Sequence, residues 1–325
     1  MKNVSVQVLT YGHEKYIERC LKSISDQNFS NFEIVVGVDK STDRTLKLVR
    51  EFARNCEIPI KIIEQKFRVG AFNNFIDINN CCEGKYIAIC DGDDYWTDND
   101  KLSKQFEFME RQPRLAISFH DSSLVNTSGE ILVKLPVVKH KYKDYSHSYL
   151  IENESFMPSS SIMFRNIDLK RFNKLYHGLD NIVDLPLMIY LLEFGSIGYL
   201  EENMSNYVQA STNSAFTSMN VSFRNIEGIT MFKLIDSATQ FQHHRVIQKK
   251  VSRNLMNIFL FEISRGEITI AKSALNILFS PNTQEITSGI RLYLTILYVS
   301  RKFLGIFCSE FVLKIFIRLN KLSYK

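Results

Sequence analysis

Short apolar runs alternate with segments of helical period along the first ninety residues. Val4 to Leu9 reads as a strand, and Glu14 to Gln27 as a helix with Ile17, Cys20, Leu21 and Ile24 on one face. Phe32 to Val38 is the next strand, followed by a helix from Asp43 that turns Leu46, Val49, Phe52 and Ala53 inward. Ile58 to Ile63 reads as a third strand, Ala71 to Cys82 as a third helix with Phe72, Phe75 and Ile76 apolar, and Lys85 to Cys90 as a fourth strand. This βαβαβαβ order predicts an α/β fold with a mostly parallel central sheet flanked by helices on both faces.

The pattern weakens afterwards. A helix is expected around Lys101 to Arg111, a strand at Leu115 to His120, and a hairpin turned by Ser128-Gly129. Residues 136 to 157 lack a clear period and read as a long loop in which Tyr142, Tyr145, Tyr149 and Phe156 interleave with Lys and His. One such stretch without a repeat is poor support for a single-strand binding surface, so no nucleic-acid partner is expected. Ser159 to Phe164 reads as a short strand. Asp184 to Phe194 reads as a helix with Asp184 as its N-cap and Gly195 as its stop.

Composition adds a division. The 325 residues carry a formal net charge of +5, but residues 245 to 325 hold 13 Lys or Arg against 4 Glu, which leaves the rest acidic. A first domain is therefore expected over 1–222 and a basic, amphipathic helical region over 223–325. In the last of its helices Glu310, Lys314, Arg318 and Lys321 form a polar face opposite Val312, Phe316 and Leu319. Residues 286–325 suit either peripheral contact with an anionic membrane or a packed helical bundle. The six cysteines form no CxxC pair, and the N-terminus has no long apolar run, so a cytoplasmic location is expected, at the inner face of the membrane if the basic helices bind lipid.

Candidate chemistry gathers where such sheets bind ligands, at the carboxyl ends of their strands. Thr10 and Tyr11 follow the first strand, Asp39 the second, and Asp91-Gly92-Asp93-Asp94 the fourth. Three carboxylates in four residues repel one another unless solvated or offset by a cation. An EF-hand loop is excluded, because its sixth and twelfth positions would be Trp96 and Leu102 rather than Gly and Glu. No GxGxxG follows the first strand and no GxxxxGK[ST] occurs, which argues against dinucleotide enzymes and P-loop kinases.

In this order and spacing, several segments resemble the family 2 glycosyltransferases, inverting nucleotide-sugar enzymes of the GT-A fold. They are Val4 to Gly12, Tyr16-Ile17 with Leu21, Ser23 and Gln27, Phe32 to Val36, Asp39-Lys40-Ser41-Thr42-Asp43-Arg44-Thr45, and Asp91 to Trp96. The resemblance covers roughly residues 3 to 210 and implies that 1–222 is a catalytic domain. It implies that Thr10 and Tyr11 line a nucleotide pocket, that Asp39 accepts a hydrogen bond from the base, and that Asp91 and Asp93 hold Mn²⁺ or Mg²⁺, with Asp91 and Gly92 also beside the nucleotide. Asp184, in Asn181-Ile182-Val183-Asp184, matches the catalytic base. A nucleotide-sugar donor, UDP-linked by family pattern, and a glycan or lipid-linked acceptor in cell-surface polysaccharide synthesis are what the same resemblance implies.

Three departures stand out. Val38 replaces the first carboxylate of the family's usual pair after the second strand, Asn73-Asn74 replaces an Arg-Asn pair, and Val208-Gln209-Ala210 stands where many members carry an Arg and a His that contacts metal or diphosphate. Arg68 is the candidate substitute for the missing phosphate-facing arginine, while the third metal ligand has no candidate. Two other readings stay open, a sugar nucleotidyltransferase and a non-catalytic binding protein of the same fold. The first usually opens with a Gly-rich basic loop, which Thr10-Tyr11-Gly12-His13-Glu14 is not.

Overall fold

A computed structural model of the chain describes residues 2–135, 140–141, 144–154, 156–209, 220–279, 294 and 298. The chain divides into two compact units, Met1–Ser218 with Ser237–His243, and Met219–Asp236 with His244–Lys325.

The first unit is built on strands β1 (Val4–Thr10), β2 (Phe32–Val38), β3 (Ile60–Glu64) and β4 (Tyr86–Ile89). They pair parallel in the order β3-β2-β1-β4, as the alternating pattern predicts. Every residue of β2 and β4 is buried, as near-continuous apolar runs in a doubly covered sheet require. The polar residues of β1 are matched rather than exposed: Ser5 Oγ donates to Glu33 Oε1 at 2.7 Å and Gln7 Nε2 to Asn79 Oδ1 at 3.2 Å. Helices α1 (Ile17–Ser25), α2 (Thr45–Asn55) and α3 (Gly70–Asn79) complete the crossovers. On α1 the four predicted inward residues are the buried ones, whereas on α2 only Thr45 and Val49 are fully buried.

Beyond β4 the sheet becomes mixed. It continues through β5 (Tyr95–Trp96), helix α4 (Lys101–Arg111), the hairpin of β6 (Leu115–Val125) and β7 (Ile131–Leu135), then β8 (Met163–Arg165) and β9 (Ser196–Val208). The order after β4 is β8-β6-β9-β5, with β7 on the outer part of β6. The β4–β8, β6–β8 and β5–β9 pairs are antiparallel and β6–β9 is parallel.

Three local expectations need correction. The described part of 136–157 is not a structureless loop: helix α5 (His147–Asn153) forms there, and Tyr145 and Phe156 are buried against Phe119. Its aromatic residues are spaced to meet across a cluster, which hides their period. Ser159–Ser161 forms a 3₁₀ turn before β8 instead of a strand, because the Ser161 hydroxyl and N–H both return to the Pro158 carbonyl, at 2.7 and 2.9 Å. Helix α6 (Lys170–Tyr176) precedes α7 (Asp184–Leu191), and the cap position of α7 is Val183, with Asp184 as its first helical residue.

The second unit comprises α8 (Val221–Ala238, to Asp236), α9 (His244–Arg265) and α10 (Ile268–Leu278), packed through Phe232, Ile235, Phe259 and Leu278. His244 Nδ1 and Asp236 Oδ2 lie 2.6 Å apart, and buried Glu262 accepts the Ser222 hydroxyl. No helix among the described residues is long and apolar enough to cross a membrane. The basic face on Glu310, Lys314, Arg318 and Lys321, Cys308 and nearly all of 286–325 lie outside the described residues.

Candidate functional site

Adjacency of β2, β1 and β4 brings three predicted segments to one edge. Hydrogen bonds continue past the strand ends, from Asp39 N–H to the Thr10 carbonyl at 2.9 Å and from Gly92 N–H to the Leu9 carbonyl at 2.8 Å. Thr10, Asp39 and the acidic cluster are thereby fixed to one another by backbone.

On one side of this edge stands Asp39, 3% exposed. Its carboxylate accepts the N–H groups of Lys40 at 2.8 Å, Val69 at 2.9 Å and Gly70 at 3.0 Å. An ionised carboxylate has about four acceptor positions, so three backbone donors leave one for a ligand. Gly70 has φ +82, and a Cβ there would lie 2.5 Å from the Asp180 carbonyl oxygen, so the loop that grips Asp39 also touches the segment leading to Asp184. Phe72 N–H donates to that same carbonyl at 3.0 Å. Arg68, exposed in this loop, sets its guanidinium 4.4 Å from the centre of the Tyr11 ring. A cleft of about 440 Å³ opens beside Asp39, with Lys40, Ser41, Lys47, Arg50 and Gln65 among its walls. The acidic cluster is not part of that cleft.

On the other side, Asp184 joins a cluster 90 residues earlier in the chain. Burial first, then the charges of Asp93 and Asp184, push the Asp91 carboxyl up to about 7, against the pull of the Ser159 hydroxyl. Burial alone raises Asp184 to about 6, although the residue keeps part of its surface exposed at the start of α7. Asp94, 1% exposed, accepts Val208 N–H through Oδ1 at 2.9 Å, while Oδ2 has no hydrogen-bond partner among the described residues. Burial and the neighbouring carboxylates hold Asp94 well above the usual range. Partial burial of a side chain that is still 40% exposed, and then Asp94, Asp93, Asp91 and Asp184, raise the Tyr207 phenol and keep it protonated.

Such a concentration of negative charge is what a divalent ion would relieve. Among the described residues no three His, Cys, Asp or Glu side chains group closely enough to hold a metal by themselves. Two carboxylates supply hard oxygen donors of the kind Mg²⁺ and Mn²⁺ accept, with remaining positions open to ligand oxygens.

Sequence reasoning missed three members of this neighbourhood. His13 Nε2 lies 3.8 Å from Asp93 Oδ2, and Ser159 Oγ donates to Asp91 Oδ2 at 2.5 Å. Tyr207 completes the list. A glycine between two aspartates signals close approach, but not what approaches: a Cβ on Gly92 would lie 2.8 Å from His13 Nδ1 and 2.9 Å from Thr10 Cβ. Conversely, the Ser41-Thr42-Asp43-Arg44-Thr45 motif proves structural at Asp43. Burial opposes its ionisation, but hydrogen bonds from Ser41, from Thr45 and from the N–H groups of Glu14 and Thr45 outweigh it and lower its pKa.

Known proteins share this arrangement of elements. The chain superposes on Staphylococcus aureus TarS residues 1–349, solved with UDP-GlcNAc, with a TM-score of 0.62 and 20% identity over 92% of this chain and 88% of that one. At this identity the likeness speaks for the fold, that of the GT-A glycosyltransferases. A candidate teichuronic acid biosynthesis glycosyltransferase of Bacillus subtilis, TuaG, is 33% identical over 40% of this chain and 51% of its own length. The Escherichia coli UDP-Glc:alpha-D-GlcNAc-diphosphoundecaprenol beta-1,3-glucosyltransferase WfaP is 34% identical over 34% of this chain and 43% of its own. The chain spans about half the length of the curated relatives it matches. Residues 5–172, more than half of the 325, match the profile described as glycosyl transferase family 2, and the chain belongs to that family.

Proposed function

We propose that this chain is a metal-dependent inverting glycosyltransferase that moves a sugar from a UDP-linked donor to a hydroxyl of a glycan or lipid-linked acceptor in cell-surface polysaccharide synthesis. The observation that carries the reading is the meeting of Asp91, Asp93 and Asp184 in one field, with Asp91 and Asp184 raised toward neutrality. WfaP, named for a diphosphoundecaprenol-linked acceptor, and TuaG, named for teichuronic acid biosynthesis, support the acceptor class, and the UDP-GlcNAc complex of TarS supports the donor.

An inverting transfer needs a carboxylate that takes the acceptor proton while the acceptor oxygen attacks from the face opposite the leaving diphosphate. Asp184 fits that role: raised to about 6, it is ionised at neutral pH yet basic enough to accept a proton in the transition state. Asp39 keeps one acceptor position for a base N–H, and its grip on the Val69–Gly70 backbone holds the wall that Arg68 and Tyr11 share. Asp91 and Asp93 would hold a Mn²⁺ or Mg²⁺ ion that neutralises the diphosphate and stabilises it as it leaves. Ser159 orients Asp91 for that task by donating to one of its oxygens. The basic residues 286–325 would bring the enzyme to an anionic membrane carrying a lipid-linked acceptor. Equal partitioning onto anionic liposomes by the full chain and by one ending at Glu285 would sink that last point.

Calorimetric titration with UDP and Mn²⁺ tests the core reading. Wild type should bind, Asp93→Ala should bind weakly or not at all, and Asp184→Asn should bind normally while losing transfer or hydrolysis of the donor sugar. Absence of UDP binding by wild type overturns the donor assignment, and unchanged turnover in Asp184→Asn overturns the base.

A further inference from the structure

The end of β9 is fixed against the acidic cluster by backbone. β5 and β9 pair antiparallel with Tyr95 opposite Asn206 and Trp96 opposite Ser205, so the same register carried one step further sets Tyr207 across from Asp94. The Val208 N–H bond to Asp94 Oδ1 at 2.9 Å locks that step, and β6 holds the other edge of β9 with Leu124 opposite Tyr207. Ser205 and Val208 are buried, at 0% and 3% exposed, whereas Tyr207 keeps 40% of its surface. Fraying of the strand does not explain this exposure, because the backbone is held on both sides.

The Tyr207 hydroxyl makes no hydrogen bond among the described residues. Partial burial raises its pKa, and Asp94, Asp93, Asp91 and Asp184 add to the rise in that order of influence. A phenol in such a field keeps its proton at neutral pH and is a neutral hydrogen-bond donor. Neutrality matters at this position. A Lys or Arg placed across from Asp94 would be drawn into an ion pair with the cluster, whereas a phenol stays available to a second anion. The order of influence also gives a side: Tyr207 stands with Asp94 and Asp93, where the diphosphate would lie, more than with Asp184, where the acceptor proton would go.

We propose that Tyr207 is a diphosphate-binding residue of this site, whose hydroxyl donates a hydrogen bond to an oxygen of the β-phosphate of the nucleotide-sugar donor. The inference rests on the donor reading above. When the sugar is transferred, the bond between its anomeric carbon and the β-phosphate oxygen breaks and the electron pair stays on that oxygen. The phenol keeps its own proton throughout, so Tyr207 stabilises the departing charge without a proton transfer. The hydrogen bond strengthens as negative charge grows on the diphosphate, which makes the product UDP the ligand that reports it best.

Calorimetry of the full chain with UDP and with UMP, both in the presence of Mn²⁺, reads this contact directly, because UMP lacks the β-phosphate. Tyr207→Phe keeps the ring and removes only the hydroxyl. Its UDP affinity should fall about tenfold, equivalent to about 1.4 kcal/mol, while its UMP affinity stays within about twofold of wild type. The ratio of the two affinities, taken on one preparation, is insensitive to any fraction of the variant that fails to fold, and thermal melts report that fraction separately. Equal losses for UDP and UMP would place the hydroxyl in support of the fold or of the nucleoside, and overturn the proposal. Unchanged affinity for both ligands would overturn it as well, with the donor reading left standing. If wild type binds no UDP, the donor reading falls and takes this inference with it.

Discussion

Ser159 Oγ donates a hydrogen bond to Asp91 Oδ2 at 2.5 Å, joining the turn before β8 to the end of β4. The bond favours the ionised form of a carboxyl that burial, Asp93 and Asp184 push up to about 7. Ser159→Ala removes that support, so Asp91 would take up a proton more readily and compete less well for a cation. The expected outcome is a Mn²⁺ affinity lowered about tenfold with UDP affinity in the absence of metal unchanged. Ser159→Thr, which keeps the hydroxyl, should restore most of the loss. Calorimetry on the three proteins checks it, and equal Mn²⁺ affinity in wild type and Ser159→Ala would remove Ser159 from a positioning role.

Asp184 gives a pH prediction whose sign follows from its environment. Its folded-state pKa, about 6, lies above the ordinary 3.8, so the base is progressively protonated as pH falls through 6. kcat/KM should therefore rise with pH from 5 to 7 and level off above. The stability consequence has the opposite sense. A raised carboxyl binds more protons folded than unfolded between 3.8 and 6, so its unfavourable contribution grows across that window and stays constant above it. Asp184→Asn should melt higher than wild type at pH 7.5, by on the order of 1 kcal/mol, and near wild type below pH 4. Thermal melts at both pH values check it.

Gly70 couples the two halves of the site. Its positive φ and the 2.5 Å approach of the Asp180 carbonyl leave no place for a side chain. Gly70→Ala should cost about 2–3 kcal/mol in urea unfolding, and it should weaken UDP binding because the Gly70 N–H that Asp39 holds would shift. Normal stability together with normal UDP affinity would show that the loop tolerates the methyl group by moving elsewhere.

Much of this framework is legible in the sequence, and the exceptions have physical causes. The runs at β1, β2 and β4 are apolar because both sheet faces are covered, so period and burial agree there. Strand β9 escaped notice because its middle, Glu201 and Glu202, is exposed and its pairing with β6 shifts register at His120 and Asp121. Tyr145, Tyr149 and Phe156 show no local period because they meet one another across a cluster that Tyr145 and Phe156 close against Phe119 of β6. Asp184 looked like a helix cap, the role its residue type most often takes, and its approach to Asp91 depends on a turn between distant segments. His13 and Ser159 carry no local signal, since each acquires meaning only from the carboxylate it faces.

Asp43 separates the structural part of the family motif from its chemistry. Its carboxylate ties the start of α2 to the β1–α1 loop, accepting Ser41 Oγ at 2.7 Å, Thr45 Oγ1 at 2.8 Å, Glu14 N–H at 3.0 Å and Thr45 N–H at 3.1 Å. Burial alone would raise its pKa, but these donors overcome that and lower it. A depressed carboxyl contributes stability that is present above the unfolded value of 3.8 and is lost as pH falls through the folded value. Asp43→Ala should therefore destabilise the protein by about 2 kcal/mol at pH 7, and by much less near pH 3, where the wild-type bonds to the ionised form weaken too. Because the residue supports both loops without belonging to the acidic cluster, the folded fraction of the variant should bind UDP with an affinity within about threefold of wild type, a change below 1 kcal/mol. Urea titrations at the two pH values, with UDP calorimetry at pH 7 and 10 °C, check both halves. Full stability with lost UDP binding would reverse the assignment and move Asp43 into the binding machinery.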